Sequence, residues 1–240
     1  MSARFAGSFL GAGWVILAPG LILAIYSTIY LTVFKVKVPT LSSHAYVVFL
    51  LSGLIPYLAT AEALSLGVAS VVTNKAVLSN TVFPIDLAPV KAVITAQATM
   101  VVGMVAAVIG VVITHKVSPL IVFLPVIWLL QFLALTGVAW ILSLLNVIIR
   151  DLQNGLNAVL MILLIASPIF YTPDQVPSGL KLILAINPLA YFIVAYQEVV
   201  VLGYVPSLGH IIGLIVMSVG LFCAGSIFFA RAKHVLIDYV

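Results

Sequence analysis

The residues able to do chemistry are few and scattered. The acids are Glu62, Asp86, Asp151, Asp174, Glu198 and Asp238, and the histidines are His44, His115, His210 and His234. Acid–base or metal chemistry needs such groups to converge on one point. Here the histidines fall near predicted helix ends, where loop and interface roles outnumber ligand sets. Cys223 is alone, so one chain builds neither a disulfide framework nor a cysteine metal site. No Gly-x-x-x-x-Gly-Lys-Ser/Thr loop is present to cradle a nucleotide's phosphates, so the chain is not expected to be its own ATPase. Neither His-Glu-x-x-His nor Gly-x-Ser-x-Gly occurs. No catalytic, cofactor or metal site is therefore expected. Without any basic run, nucleic acid is not an expected partner either.

Glu62 is the one acid set deep within an apolar stretch. A carboxyl in lipid costs several kcal/mol unless paired or hydrated, so it marks a pathway, a protein interface or a hydrogen-bonded structural acid. No second acid at that depth stands ready to pass a proton on, which argues against a relay.

The elements that must position these residues follow from composition. Apolar residues make up 64% of the 240-residue chain and charged ones 7%, against about 25% charged in a soluble domain. A spanning helix takes about 20 residues, so the length holds six or seven with short loops and leaves no room for a soluble domain. The reading is an all-α membrane protein, a single transmembrane domain over 1–240. Its spans are expected near 14–34, 46–73, 87–114, 120–149, 152–170 and 207–230. The first is uncharged for 21 residues, too long for the apolar core of a cleaved signal peptide.

Residues 172–206 break this pattern. Pro173, Pro177, Pro188 and Pro206 cut them into two pieces, 178–186 and 189–203. These reach about 13 and 22 Å at 1.5 Å per residue, short of a hydrocarbon core of about 30 Å. Two re-entrant or interfacial half-helices are expected, their ends buried in protein or facing water. Around them cluster Phe170, Tyr171, Tyr191, Phe192, Tyr196 and Tyr204. Such rings form either an interfacial belt or a lining on which sugar faces pack while phenol hydroxyls bond their edges.

Residues 74–86 are richer than a turn requires. Thr73 or Asn74 can cap a short helix, Ala76, Val77 and Leu78 give it an apolar face, and Pro84 ends it. A short amphipathic helix on the cytoplasmic surface plugs a groove in a partner; an ordinary interfacial loop is the alternative. Arg150 and Asp151 follow the fourth span, and neighbours on a helix do not face each other. They read as an interface pair. Six spans place both termini on one side. With the N-terminus inside, six bases (Arg4, Lys75, Lys91, Arg150, Arg231, Lys233) lie within and four (Lys35, Lys37, Lys116, Lys181) outside, a small positive-inside bias.

The order of these signals is more specific than any one of them. Gly7-Ser-Phe-Leu-Gly11 with Trp14 and Pro19 leads the first span, and Gly53-Leu-Ile-Pro-Tyr57 opens the second. Asn74-Lys75 with Phe83-Pro84 fills the inner loop, Arg150-Asp151 follows the fourth span, and Ser167-Pro-Ile-Phe-Tyr171, Val176-Pro177 and Asn187-Pro-Leu189 precede the last. Along its whole length the chain resembles the membrane subunit of type-2 ABC exporters, in the branch exporting O-antigen, capsule and teichoic acid. It differs in having only Met1 to Ala6 ahead of the first motif, Tyr57 where tryptophan is common, and Ile85-Asp86 where a basic–acidic pair is frequent.

The resemblance implies a homodimer in the inner membrane, both termini cytoplasmic, bound to two copies of an ATP-binding cassette subunit that holds the ATP and magnesium. It assigns coupling to Asn74, Lys75, Ala76, Val77, Leu78, Phe83 and Pro84. The outer gate and pathway fall to Phe170, Tyr171, Asn187, Pro188, Tyr191, Phe192 and Tyr196. The implied cargo is a lipid-linked polysaccharide, moved outward among membrane lipids. Alternatives are a drug or lipid efflux permease of the same superfamily, an enzyme acting on a lipid-linked sugar, and a structural anchor. The enzyme needs acids or histidines clustered at one membrane face, and the anchor needs no proline-broken helices.

Overall fold

The computed structural model describes residues 13–29, 32, 41–75, 84–113 and 117–236. Among these it is all helical, with no strand. The helices are α1 (Trp14–Thr28), α2 (Ser43–Thr73), α3 (Leu87–Ile113), α4 (Leu124–Ile148), α5 (Leu152–Ala166), α6 (Lys181–Ile186), α7 (Pro188–Gln197) and α8 (Leu208–Leu236). A 3₁₀ turn, Pro119–Phe123, runs into α4; another, Ser178–Leu180, runs into α6; a π-turn, Glu198–Leu202, continues α7. Four stretches are long and apolar enough to cross a membrane: Ser43–Thr73, Leu87–Ile113, Pro119–Ile148 and Leu208–Lys233. A fifth is Ser178–Ile186 with Pro188–Leu202, if that bent pair counts as one span. The chain is therefore a multi-pass membrane protein.

Several expected boundaries move: α2 begins at Ser43 rather than 46, and α8 runs to Leu236 rather than 230. The fifth segment stops at Ala166 rather than 170, because Pro168 has no amide to give and pushes Ser167 away from helical torsions. The two short pieces begin at Ser178 and Pro188 and meet at an angle of 99°. Residues 30–31 and 33–34 of the first expected span lie outside the described residues.

Burial separates the long helices. In the most apolar stretch of α2, 72% of the residues are buried, against 17% in α8; α2 is enclosed by protein, whereas α8 turns most of its surface outward. The apolar side chains α8 exposes, such as Ile212 and Val216, are those a lipid-facing wall requires.

The chain divides into two compact units. One comprises Met1–Leu58, Ala98–Ile127 and Ile165–Ser207. The other comprises Ala59–Gln97, Trp128–Leu164 and Leu208–Val240. In the second, Ala63 and Leu64 of α2, Val93 and Ala96 of α3, Leu135 and Ala139 of α4 and Leu160 of α5 form one buried cluster. Alanines alternate with leucines in it, and because lipid supplies no hydrophobic drive between helices, close van der Waals contact must do that work. Buried polar bonds reinforce it: Gln131 Nε2 donates to Thr60 Oγ1 (2.9 Å) and Trp128 Nε1 to Gln97 Oε1 (2.7 Å). Each is worth about 0.6 kcal/mol in such bundles.

The tightest approach in that unit is between α4 and α8. A Cβ on Gly137 would strike the Leu221 carbonyl oxygen, and one on Gly225 would strike the carbonyl oxygen of Gly137. Both obstacles are backbone, so neither yields by changing rotamer. Trp140, one turn along from Gly137, packs on Phe222 and Phe229 with ring centroids 5.3 and 6.3 Å apart. Gly225→Leu is expected to abolish the monodisperse folded peak in fluorescence-detected chromatography. Gly220→Ala, with open space around it, is expected to leave that peak within a few degrees of the parent's thermal midpoint.

Candidate functional site

The break after α5 is the most unusual stretch of the first unit. Ser167, Pro168, Ile169 and Phe170 are all buried, yet none is helical. A helix interrupted by proline at membrane depth exposes carbonyls that lipid cannot satisfy, each at a cost of several kcal/mol.

Three side chains meet that demand, and a fourth ties the adjoining hydroxyl. The Tyr171 hydroxyl donates to the Ala166 carbonyl (3.2 Å) and the Tyr46 hydroxyl to that of Phe170 (2.8 Å). Gln197 Nε2 donates to both Pro168 (3.0 Å) and Ile169 (3.3 Å). Asn187 Nδ2 reaches the Ser167 hydroxyl (2.9 Å), while Asn187 Oδ1 accepts from the Leu189 amide (2.9 Å). Asn187 thus caps α7, with Pro188 in the first-turn position where a missing amide costs nothing. Ring contacts complete the wrap, Tyr26 stacking on Phe170 with centroids 4.6 Å apart.

The expected gate residues separate into two groups. Phe170, Asn187, Phe192 and Tyr196 are buried within the unit. Tyr171 and Tyr191 are part-exposed and Pro188 is exposed, so they present surface. The Tyr191 hydroxyl donates back to the Ala185 carbonyl (3.2 Å), closing the corner between α6 and α7. Tyr196 is fully buried, and among the described residues its hydroxyl has no partner. Beyond it, Glu198 opens the π-turn with one buried carboxylate oxygen lacking a partner among the described residues. The turn ends at Gly203 with φ 69°, a left-handed conformation glycine adopts without strain.

Of the expected coupling segment, Asn74, Lys75 and Pro84 are described; Ala76, Val77, Leu78 and Phe83 lie outside the described residues. Asn74 Nδ2 donates back to the Ser70 carbonyl (2.7 Å), satisfying an end group of α2. Lys75 is exposed. The far end of the segment is anchored, since Trp140 Nε1 donates to the Asp86 carbonyl (3.0 Å) and the Leu87 amide to Pro84 (3.0 Å). Arg150 and Asp151 form an exposed turn between α4 and α5. Glu62 sits part-buried on α2 beside the buried Ala63. No group of three or more histidine, cysteine or acidic residues able to hold a metal occurs among the described residues.

Tyr46, Trp140 and Gln197 were not singled out from sequence. For Gln197 a signal existed: it is an uncharged polar residue in the otherwise apolar run from Leu189, and buried polar groups at membrane depth find partners.

Long apolar helices and a proline-broken pair tied down by neutral side chains define a multi-pass helical membrane protein. The chain belongs to the ABC-2 type transporter family, whose pattern matches residues 1–201. It is a transport subunit rather than an enzyme, and membership implies an ATP-binding cassette partner. Among individual proteins it is similar to the O-antigen export system permease protein RfbA of Myxococcus xanthus, 27% identical over 98% of this chain and 90% of that protein. It is likewise similar to the protein of the same name from Klebsiella pneumoniae, 28% identical over 92% of this chain and 86% of that one.

Asn187 carries two duties, so its loss is expected to be severe. Asn187→Ala removes a cap worth about 1 kcal/mol and strands a buried hydroxyl at about 1–3 kcal/mol more. Thermal unfolding in detergent is expected to fall by several degrees. Asn187→Asp, which keeps the capping oxygen and can accept from Ser167, is expected to recover at least half of that loss.

Proposed function

We propose that this chain is the membrane-spanning subunit of an ATP-driven exporter that carries an O-antigen-like, lipid-linked polysaccharide from the cytoplasmic to the outer side of the inner membrane. The observation that carries the reading is similarity to O-antigen export permeases along nearly the whole of both chains.

In this reading the chain has six crossings. Four are the long apolar stretches; α1 and α5 supply the others. α5 is 15 residues long, about 22 Å at 1.5 Å per residue. That is short of a full core, and the clamped turn after it completes the passage. The bent pair is a re-entrant outer gate, a reading supported by the 99° angle between its pieces. Both termini are then cytoplasmic. A second copy of the chain completes the pathway. α5 is suited to line that contact, because Leu160 is its one residue buried among the described residues while Met161, Ile162 and Ile165 stand open.

Residues 74–86 dock one ATP-binding subunit per copy, with Asn74, Lys75, Ala76, Val77, Leu78, Phe83 and Pro84 facing it and Arg150 and Asp151 on the same inner surface. ATP and magnesium belong to those subunits; this chain carries no cofactor of its own. Trp140 holds the far end of the docking segment to α4, so displacement of the segment strains a defined bond. At the outer end Tyr171 and Tyr191, the part-exposed members of the aromatic group, offer ring faces to sugars.

Two measurements test this. Deleting the coding sequence in its host is expected to abolish surface display of the long glycan while its lipid-linked form accumulates inside; unchanged display would refute the assignment. Lys75→Glu is expected to leave the folded subunit intact but to reduce co-purification with the ATP-binding subunit and transport-coupled ATP hydrolysis severalfold. Unchanged coupled hydrolysis would remove 74–86 from the docking surface.

A further inference from the structure

Gln197 lies at the last position of α7 and is 1% exposed, within a run that is otherwise apolar. Its single amide nitrogen carries two hydrogens and serves two carbonyls, those of Pro168 and Ile169. These are the acceptors the proline break sets free. The geometry of α2 makes room for the amide. A Cβ on Gly53 would stand 2.6 Å from Gln197 Nε2, closer than two such atoms approach, with Ile193 at 3.2 Å and the Ile169 backbone at 3.4 Å. Any side chain at position 53 therefore competes with the carboxamide for the same space. Tyr46 lies seven residues before Gly53, two helical turns and hence on the same face of α2, and its hydroxyl takes the next carbonyl, that of Phe170.

We propose that Gln197, admitted by Gly53, is the positioning residue that fixes the broken segment 167–170 to the bent helix pair while Tyr46 ties the same segment to α2, and that export depends on this clamp. The inference rests on reading the bent pair as the outer gate. Gln197 itself contacts no cargo and acts through the Pro168 and Ile169 carbonyls. Removing its donor leaves two buried carbonyls seeking water, which favours conformers in which the break has opened. A gate that opens without its drive lets hydrolysis proceed without productive transfer.

The test uses the intact complex with its ATP-binding subunit. Cys223 is replaced by serine and a reporter cysteine introduced as Ile169→Cys, a position buried in the break. A membrane-impermeant maleimide is then applied from either side. Gln197→Leu is expected to raise the rate of labelling from outside about tenfold or more. It is also expected to cut glycan display sharply while ATP hydrolysis and subunit abundance hold, a split that general unfolding does not give. Tyr46→Phe is expected to act in the same direction and less strongly.

Gly53→Ala is expected to mimic Gln197→Leu in the parent and to add little in a Gln197→Ala background, where the carboxamide it displaces is gone. Parental labelling and display in Gln197→Leu, or a fully additive effect of Gly53→Ala, would overturn the clamp. Reporter labelling only from the cytoplasmic face would instead overturn the placement of the bent pair, and the clamp's role with it. If Gln197→Leu does not assemble, the Gly53→Ala and Tyr46→Phe arms decide the matter alone.

Discussion

A backbone carbonyl buried in protein has nowhere to turn for a hydrogen bond except to its neighbours, and this rule governs how the chain is built around the buried Pro168. Regular helices obey it without help, which is why most of the molecule is plain helix with few polar side chains. Where proline interrupts the ladder, the carbonyls of Ala166, Pro168, Ile169 and Phe170 must be paid for by side chains from elsewhere. Tyr171, Gln197 and Tyr46 answer them, and Asn187 ties the adjoining hydroxyl. All four donors lie outside residues 167–170, and Tyr46, Asn187 and Gln197 come from α2 and from α7 with its cap, so the irregular segment is satisfied only with those helices beside it. The geometry of the site is thus a consequence of tertiary packing rather than of local propensity.

The same logic explains what the sequence could and could not disclose. Long apolar runs bounded by Lys35, Asn74, Arg150 and Arg231 make helix existence legible, because only helices satisfy their own backbone in lipid. Pro173, Pro177 and Pro188 likewise announce that the region before the last crossing is cut into short pieces. The end of α5 was less legible: proline's influence reaches back to the residue before it, and the expected run overshot to 170 while the helix stops at Ala166. Aromatic residues are ambiguous by nature. Phe170, Phe192 and Tyr196 turn inward while Tyr171 and Tyr191 keep an exposed edge, and nothing in their spacing distinguishes the two. Partnerships between residues far apart in sequence, such as Tyr46 with Phe170 or Trp140 with Asp86, leave no local trace.

Glycine plays opposite parts in the two units. At Gly137 and Gly225 its absence of a side chain lets two helix backbones touch, which strengthens dispersion where hydrophobic drive between helices is missing. At Gly53 it opens a berth for a polar group to cross from one helix to another. Substitution at the first pair threatens the bundle, whereas substitution at Gly53 threatens a specific bond. Similar sequence features therefore carry different penalties, and only the neighbouring atoms tell them apart.

Among the described residues, the side chains that secure the broken segment by the bonds above are neutral amides and phenols. Ion pairs at such a place would weaken when a cell met brine and would come and go as its surroundings turned acid or alkaline. Carboxamide and phenol bonds carry no net charge, so they register neither change. A closure fastened this way keeps the same grip across wide changes of salt and acidity.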